Sequence, residues 1–217
     1  MLHIEKSIHP LTEFTPTWKI PFWIAKYQNE DEIDLMREWL LDHEEAIIKK
    51  YKKNANNDGG TGLGNDSLTA QYNSFNLFNE TKDIDKFKNL FNFIRIEYNK
   101  FMNEFQTINR QCVIYCWANV VKHKQEITKH HHGATHDSYL SGNMHFDNYD
   151  TVTRYYNPYN EMYYDFKNVK GGLTFFPSYI YHSATTHNSL TDRVSIAFDL
   201  FDKKYINDGI DENRIDF

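Results

Sequence analysis

The chain has only two cysteines in 217 residues, Cys112 and Cys116, which excludes a disulfide framework. On one strand they would sit four positions apart on the same face, beyond the usual reach of a disulfide. They read as reduced core residues of an intracellular protein. No run of eighteen apolar residues occurs, so no ordinary membrane-spanning helix is expected. The opening MLHIEKSIHPLTEF has no basic stretch leading into an apolar one; no secretory signal is read there, and the expected compartment is the cytoplasm. Basic charge is also short. Lys and Arg number 24 against 30 Asp and Glu, a net charge of −6, which argues against a nucleic-acid clamp built on a clustered basic face. The local basic run IKKYKK (48–53) reads as the solvated end of a helix. The Gly-rich stretch at 54–66, NANNDGGTGLGND, lacks the Gly-Lys-Ser/Thr ending of a phosphate loop and reads as a connecting loop.

What the chain has in quantity is aromatic residues, fifteen Tyr and sixteen Phe, which favour strands and a densely packed core. Residues 1–28 fit one or two short strands with Pro21 at an edge. From about Asp31 to Lys52 the apolar residues recur at helical spacing. A second helix is predicted from about Asp83 to Glu104, where Phe87, Leu90, Phe91, Ile94, Tyr98 and Phe101 form one stripe that would cover a sheet. QYNSFNLF (71–78) reads as a short strand. Beyond Gln111 the pattern changes. CVIYCWANVV is a buried strand, followed by short strands in LSGNMHF, GGLTFFP, YIYHSAT and DRVSIAFDL. Five tyrosines between 155 and 164, broken by Pro158, read as an aromatic loop. The expected fold is α+β and mostly β, with helices packed on one sheet. One domain accounts for 1–217, with N-terminal strands and supporting helices in 1–110, the strand-rich core in 111–204 and a polar tail in 205–217.

Two stretches carry the chemistry. KHHHGATHDSYLSGNMHFD (129–147) holds five of the eleven histidines. In DRVSIAFDL, period-two alternation puts Val194, Ile196, Phe198 and Leu200 on a core face, and Arg193, Ser195, Ala197 and Asp199 on the other. Arg193 with Ser195 makes a receptor for a carboxylate, because the guanidinium binds it bidentately and the hydroxyl adds a donor. Upstream, Ile180, His182 and Ala184 share a face. A hairpin joining His182 to Arg193 would set a metal ligand beside a carboxylate receptor. Asn119 shares a strand face with Trp117 and Tyr115, and is expected either to donate into the same cavity or to be a satisfied core amide. Near the other end of the site, His130 and His132 share a face, and so do His145 and Asp147; His136 and Asp137 are further possibilities. His123, His131 and His187 read as loop or surface residues.

Four ordered elements, Trp117-Ala-Asn119, His130-His-His132, Leu140-Ser-Gly142 and Phe176-Pro…His182…Arg193-Val-Ser195, resemble the signature of the 2-oxoglutarate and Fe(II)-dependent oxygenases. The nearest group is a set of phage and bacterial oxygenases with a His-x-His pair. The resemblance spans roughly residues 111–200. It implies a double-stranded β-helix, or jelly-roll, core and Fe(II) held by His130, His132 and His182, with His145/Asp147 as the rival near-end pair. It also implies 2-oxoglutarate gripped by Arg193 and Ser195 with Asn119 nearby. Three imidazoles leave the iron with more net positive charge, which a nearby carboxylate, Asp137 or Asp147, is expected to offset. The implied reaction consumes 2-oxoglutarate and O₂ and hydroxylates a C–H bond of a peptidyl side chain or small molecule. The residues alone also allow a cupin-like three-histidine dioxygenase that needs no 2-oxo acid, or a non-catalytic jelly-roll binding module.

Overall fold

The computed structural model describes residues 1–7, 12–52, 57–133, 139–160, 162–205 and 213–217. Strands β1 (Leu2–Lys6) and β2 (Lys19–Lys26) come first, then helix α1 (Glu30–Tyr51), the short α2 (Leu77–Glu80) and α3 (Asp85–Glu104). The strand-rich part follows as β3 (Cys112–Val121), β4 (Ile127–His130), β5 (Leu140–His145), β6 (Val152–Tyr156), β7 (Tyr163–Lys167), β8 (Gly172–Pro177), β9 (His182–Ala184), β10 (Arg193–Asp202) and β11 (Ile215–Asp216). They form a seven-stranded sheet in the order β1-β2-β8-β5-β10-β3-β11 and a four-stranded sheet in the order β4-β9-β6-β7. Every pairing is antiparallel.

Alternation along the large sheet separates two environments. Ile114, Cys116, Ala118 and Val120 on β3, with Val194, Ile196, Phe198 and Leu200 on β10, join the apolar stripe of α3 (Phe87, Leu90, Ile94, Tyr98, Phe101) and Ile33, Met36 and Leu40 of α1 in one buried cluster. Each such side chain is worth ~1.5–3 kcal/mol on burial, so this layer clamps the helices to the sheet. Both cysteines lie in it with free thiols. A smaller cluster of Ile20, Phe22, Tyr155, Phe176 and Ile180 fills one end of the space between the two sheets. The rest of that space is lined by histidines, Arg193, Ser195 and Asn119 together with apolar residues such as Trp117 and Ile127. Gly142 has a packing reason for lacking a side chain: a Cβ there would lie 2.2 Å from the Phe198 ring.

Three expectations change. Gln71–Phe78 is not a strand. Thr69–Gln71 is a 3-10 turn, and Asn76 caps α2 by accepting from the Phe78 amide at 3.2 Å while its own amide donates to Ile114 O, so local capping overrides the aromatic strand pattern. The tyrosine-rich stretch is not a loop but the β6–β7 hairpin, in which Tyr155 is fully buried and Tyr163 on the opposite face is exposed. Finally, His182 and Arg193 do not flank a hairpin. β9 belongs to the small sheet and β10 to the large one, so the two residues face each other across the space between the sheets.

Candidate metal centre

β4 and β9 pair with His130 directly opposite His182, after a register shift between Ile127 and His130. Tyr155 is the next residue in the row, opposite His182 on β6. His132 lies just past the end of β4, where its backbone amide donates to Ser178 O at 3.1 Å. The three imidazoles converge: one nitrogen from each of His130, His132 and His182 falls within 4.8 Å of the other two. Among the described residues this is the group of side chains able to hold a metal ion.

All three rings are oriented the same way. Nδ1 of His130 meets Thr128 O at 2.8 Å, Nδ1 of His132 meets the Asp199 carboxylate at 2.7 Å, and Nδ1 of His182 meets Ile180 O at 3.2 Å. A nitrogen facing an acceptor carries the ring proton, which leaves the Nε2 lone pair of each ring free. Such outer partners hold a ligating histidine in the tautomer and orientation that metal binding needs. Protonation is disfavoured as well. Burial, then the charge of His132, pushes His130 down to about 4, and burial pushes His182 well below its ordinary value. Asp199 is itself held by the Ser141 hydroxyl at 2.5 Å, and Ser141 also contacts Ser178 Oγ at 3.0 Å. The carboxylate that meets the His132 ring is Asp199, on the same strand face as Arg193 and Ser195. Asp137 and His136 lie outside the described residues. Asp147 sits beyond the end of β5, accepting from the Asn148 amide at 2.7 Å.

The large sheet supplies the other wall. Register places Ser195 opposite Asn119 on one side and His145 on the other, a polar row across β3, β10 and β5. Asn119 Oδ1 accepts from Thr69 Oγ1 at 2.7 Å, so the amide is satisfied and still lines the cavity. Arg193 is 1% exposed. Its Nη1 reaches Thr185 O at 3.4 Å, while Nε and Nη2 are buried with no hydrogen-bond partner. Burial pushes the guanidinium down to about 10. His145, the rival ligand, lines the same cavity but stands with Arg193 rather than with the three converging rings. Its Nδ1 is also buried without a partner, and burial followed by the Arg193 charge pushes it down to about 3. The free space between the walls is about 40 Å³.

Sequence reasoning brought out His130, His132, His182, Arg193, Ser195 and Asn119 but passed over Asp199, His145's place beside Arg193, and the Gly-rich loop. That loop packs on the site. Thr61 lines the cavity, and its carbonyl accepts from the Thr128 amide at 2.8 Å. Of the remaining histidines, His123 is exposed, bonded to Ser189 O, and His131 sets its ring edge-on to Tyr181. His187 is not a surface residue: it is 1% exposed, with Nε2 donating to Thr191 O at 2.5 Å.

No protein-family model matches the sequence, and no curated protein matches it. Solved structures do. The crystal structure of a Pseudomonas putida prolyl-4-hydroxylase aligns over 83% of this chain and 91% of that one, with a TM-score of 0.51 at 12% identity. A viral collagen prolyl hydroxylase of Paramecium bursaria Chlorella virus-1, in its 2OG complex, aligns over 83% and 96% with a TM-score of 0.47 at 14% identity. A Burkholderia pseudomallei oxidoreductase of the 2OG-Fe(II) oxygenase family aligns over 47% and 50%, with 0.41 at 14%. The likeness to the first gives this chain the jelly-roll fold of the oxygenases that its sequence motifs resemble.

Proposed function

We propose that the chain is a 2-oxoglutarate-dependent Fe(II) oxygenase that hydroxylates a C–H bond, with succinate and CO₂ as coproducts. The observation that carries this reading is the pairing, within one cavity, of three imidazoles with free Nε2 atoms and a buried guanidinium with two unpartnered nitrogens. An unpaired buried charge is costly unless an anion arrives to meet it. The residues fit both groups. His130, His132 and His182 would hold the metal, which when bound supplies the redox chemistry with O₂. Arg193 would receive the far carboxylate of the 2-oxo acid, with Ser195 and His145 beside it as further polar contacts. Asp199 keeps the His132 proton on Nδ1, so that Nε2 stays available. The apolar wall of Phe176, Tyr155 and Ile180 limits water at the closed end.

A peptidyl side chain is the substrate class to which the name of the Pseudomonas putida structure points.

Anaerobic addition of Fe(II) and 2-oxoglutarate tests the reading. The expected result is a visible metal-to-ligand absorption band, lost in His182→Ala and in Arg193→Met, with succinate released once O₂ is admitted. The all-imidazole ligand set keeps a second reading in play, a three-histidine dioxygenase in which Arg193 takes the substrate's own carboxylate. An oxidised product without succinate would select that reading, and no band and no succinate would sink the first.

A further inference from the structure

A second cavity, of about 130 Å³, adjoins the first and shares Thr61, Trp117, His130 and His132 with it. It is far smaller than a pocket for a whole small molecule, and its size suits the end of one side chain. Its lining differs in character from the Arg193 side. Two carboxylates, Asp58 and Asp199, and two aromatic rings, Tyr72 and Trp117, contribute to it, and among the described residues no lysine or arginine does. The rings pack against each other, centroids 5.9 Å apart at 56°, and so form one continuous aromatic wall of the cavity. Tyr72 is braced from behind, its hydroxyl donating to Asn57 Oδ1 at 3.3 Å.

Asp58 is held in place by its own loop. Oδ1 accepts from the Gly60 amide at 3.0 Å and Oδ2 from the Gly64 amide at 2.9 Å. Partial burial raises its pKa, but the amides of Gly64, Gly60 and Gly62 outweigh that and hold the carboxyl below its ordinary value. The loop amides take up most of its lone pairs, so what Asp58 offers the cavity is a fixed negative charge. Both glycines have φ near +80°, at +78° and +88°, a conformation that lets the Gly-rich loop turn its amides onto Asp58.

Charge complementarity then selects the ligand. Count a divalent metal, a dianionic 2-oxo acid, Arg193, Asp199 and Asp58 at their formal charges: a single negative charge is left over, and Asp58 is where it faces the second cavity. A carboxylate beside two aromatic faces within ~6 Å is the setting that stabilises a cation. We propose that this cavity is the substrate subsite and takes an ammonium or guanidinium group, as at the end of a lysyl or arginyl side chain, with Asp58 as counter-ion and Tyr72 and Trp117 as the aromatic walls. The proposal rests on the oxygenase reading for the word substrate, but the cation preference stands on the cavity alone.

The test is binding to the full chain, followed by tryptophan fluorescence, with and without Mn(II) plus 2-oxoglutarate. The probes are the Nα-acetyl methylamides of lysine, arginine, norleucine, proline and glutamate. Lysine or arginine should saturate the signal at concentrations at least tenfold below those needed for norleucine, proline or glutamate. Asp58→Asn should remove at least tenfold of the cation affinity. Because Asp58 also caps its loop, Tyr72→Leu serves as an independent variant that leaves the cap intact, and it should lower cation affinity at least threefold. Neither change should alter 2-oxoglutarate binding. Norleucine or proline binding as tightly as lysine, or both variants binding lysine like the wild type, would overturn the proposal. Cation preference in the metal-free chain combined with no 2-oxoglutarate binding would support this subsite while removing the oxygenase reading.

Discussion

Replacing Arg193 by Met separates an anion receptor from a structural arginine. Burial pushes the guanidinium down to about 10, well below its ordinary value. At ~1.4 kcal/mol per pKa unit, holding that charge in the ligand-free fold costs ~3 kcal/mol. A base whose folded pKa is depressed destabilises the fold at every pH below the folded value. The penalty lifts only as pH climbs from about 10 toward the ordinary arginine range, so it is fully present at neutral pH. Met keeps much of the apolar stem and gives up the long Nη1 contact to Thr185 O, 3.4 Å, worth ~1 kcal/mol. The variant should therefore be ~2 kcal/mol more stable than the wild type when no ligand is present. For a chain of this length ~1 kcal/mol moves Tm by ~2–4 °C, so calorimetry should show a rise of ~4–8 °C.

Ligand should close that gap. With Mn(II) bound, 2-oxoglutarate at a hundred times its Kd stabilises the wild type by ~2.7 kcal/mol, and the variant should gain almost nothing. Mn(II) affinity itself should be the same in both proteins, since Arg193 is not among the converging imidazoles. A ligand-free variant that melts several degrees below the wild type would refute the reasoning. It would mean that the guanidinium is a structural partner, and the orphaned nitrogens would no longer mark a binding site.

Other substitutions test the parts around it. Asp199→Asn removes the carboxylate that holds His132 by Nδ1 at 2.7 Å; Mn(II) affinity should drop ~10–100-fold, and an unchanged titration would leave Asp199 without the positioning role. His145 is pushed down to about 3 by burial and then by Arg193, so the native state refuses a proton that the unfolded chain accepts below about pH 6.5. Stability from this residue is present above that pH and is lost as pH falls toward about 3, by ~3 kcal/mol at pH 4. His145→Gln should accordingly gain ~3 kcal/mol on the wild type between pH 8 and pH 4 in urea titrations, and parallel pH profiles would contradict it. Gly142→Ala places a Cβ 2.2 Å from the Phe198 ring, which should cost ~1–3 kcal/mol in the urea midpoint through overpacking while the far-UV spectrum stays native.

How much of this was legible in the sequence follows the range of the forces involved. α3 and β10 read clearly because periodicity is a local property: the stripe from Phe87 to Phe101 and the alternation from Arg193 to Leu200 each need only one element to be visible. The tyrosines of β6 and β7 misled because the cue for a loop, Pro158 amid polar residues, marks only the tip of the hairpin. Tyr155 reveals itself as core only once His182 and Tyr164 lie opposite it. Asp199 was in plain sight on the polar face of β10, but its partner is 67 residues away, and no spacing rule links them.

The same limit explains why the sequence leaves two near-end pairs on an equal footing. His130/His132 and His145/Asp147 are equivalent as period-two pairs on a strand. They part company because β4 and β5 lie in different sheets: β4 pairs with β9 and sets His130 opposite His182, whereas β5 pairs with β10 and sets His145 opposite Ser195. One pair therefore faces a third imidazole and the other stands with a guanidinium, which repels a bound cation and disfavours ligation at His145 on electrostatic grounds. In the proposed reading, metal and anion chemistries fall on opposite walls of one cavity because the two sheets of the jelly-roll each contribute one of them.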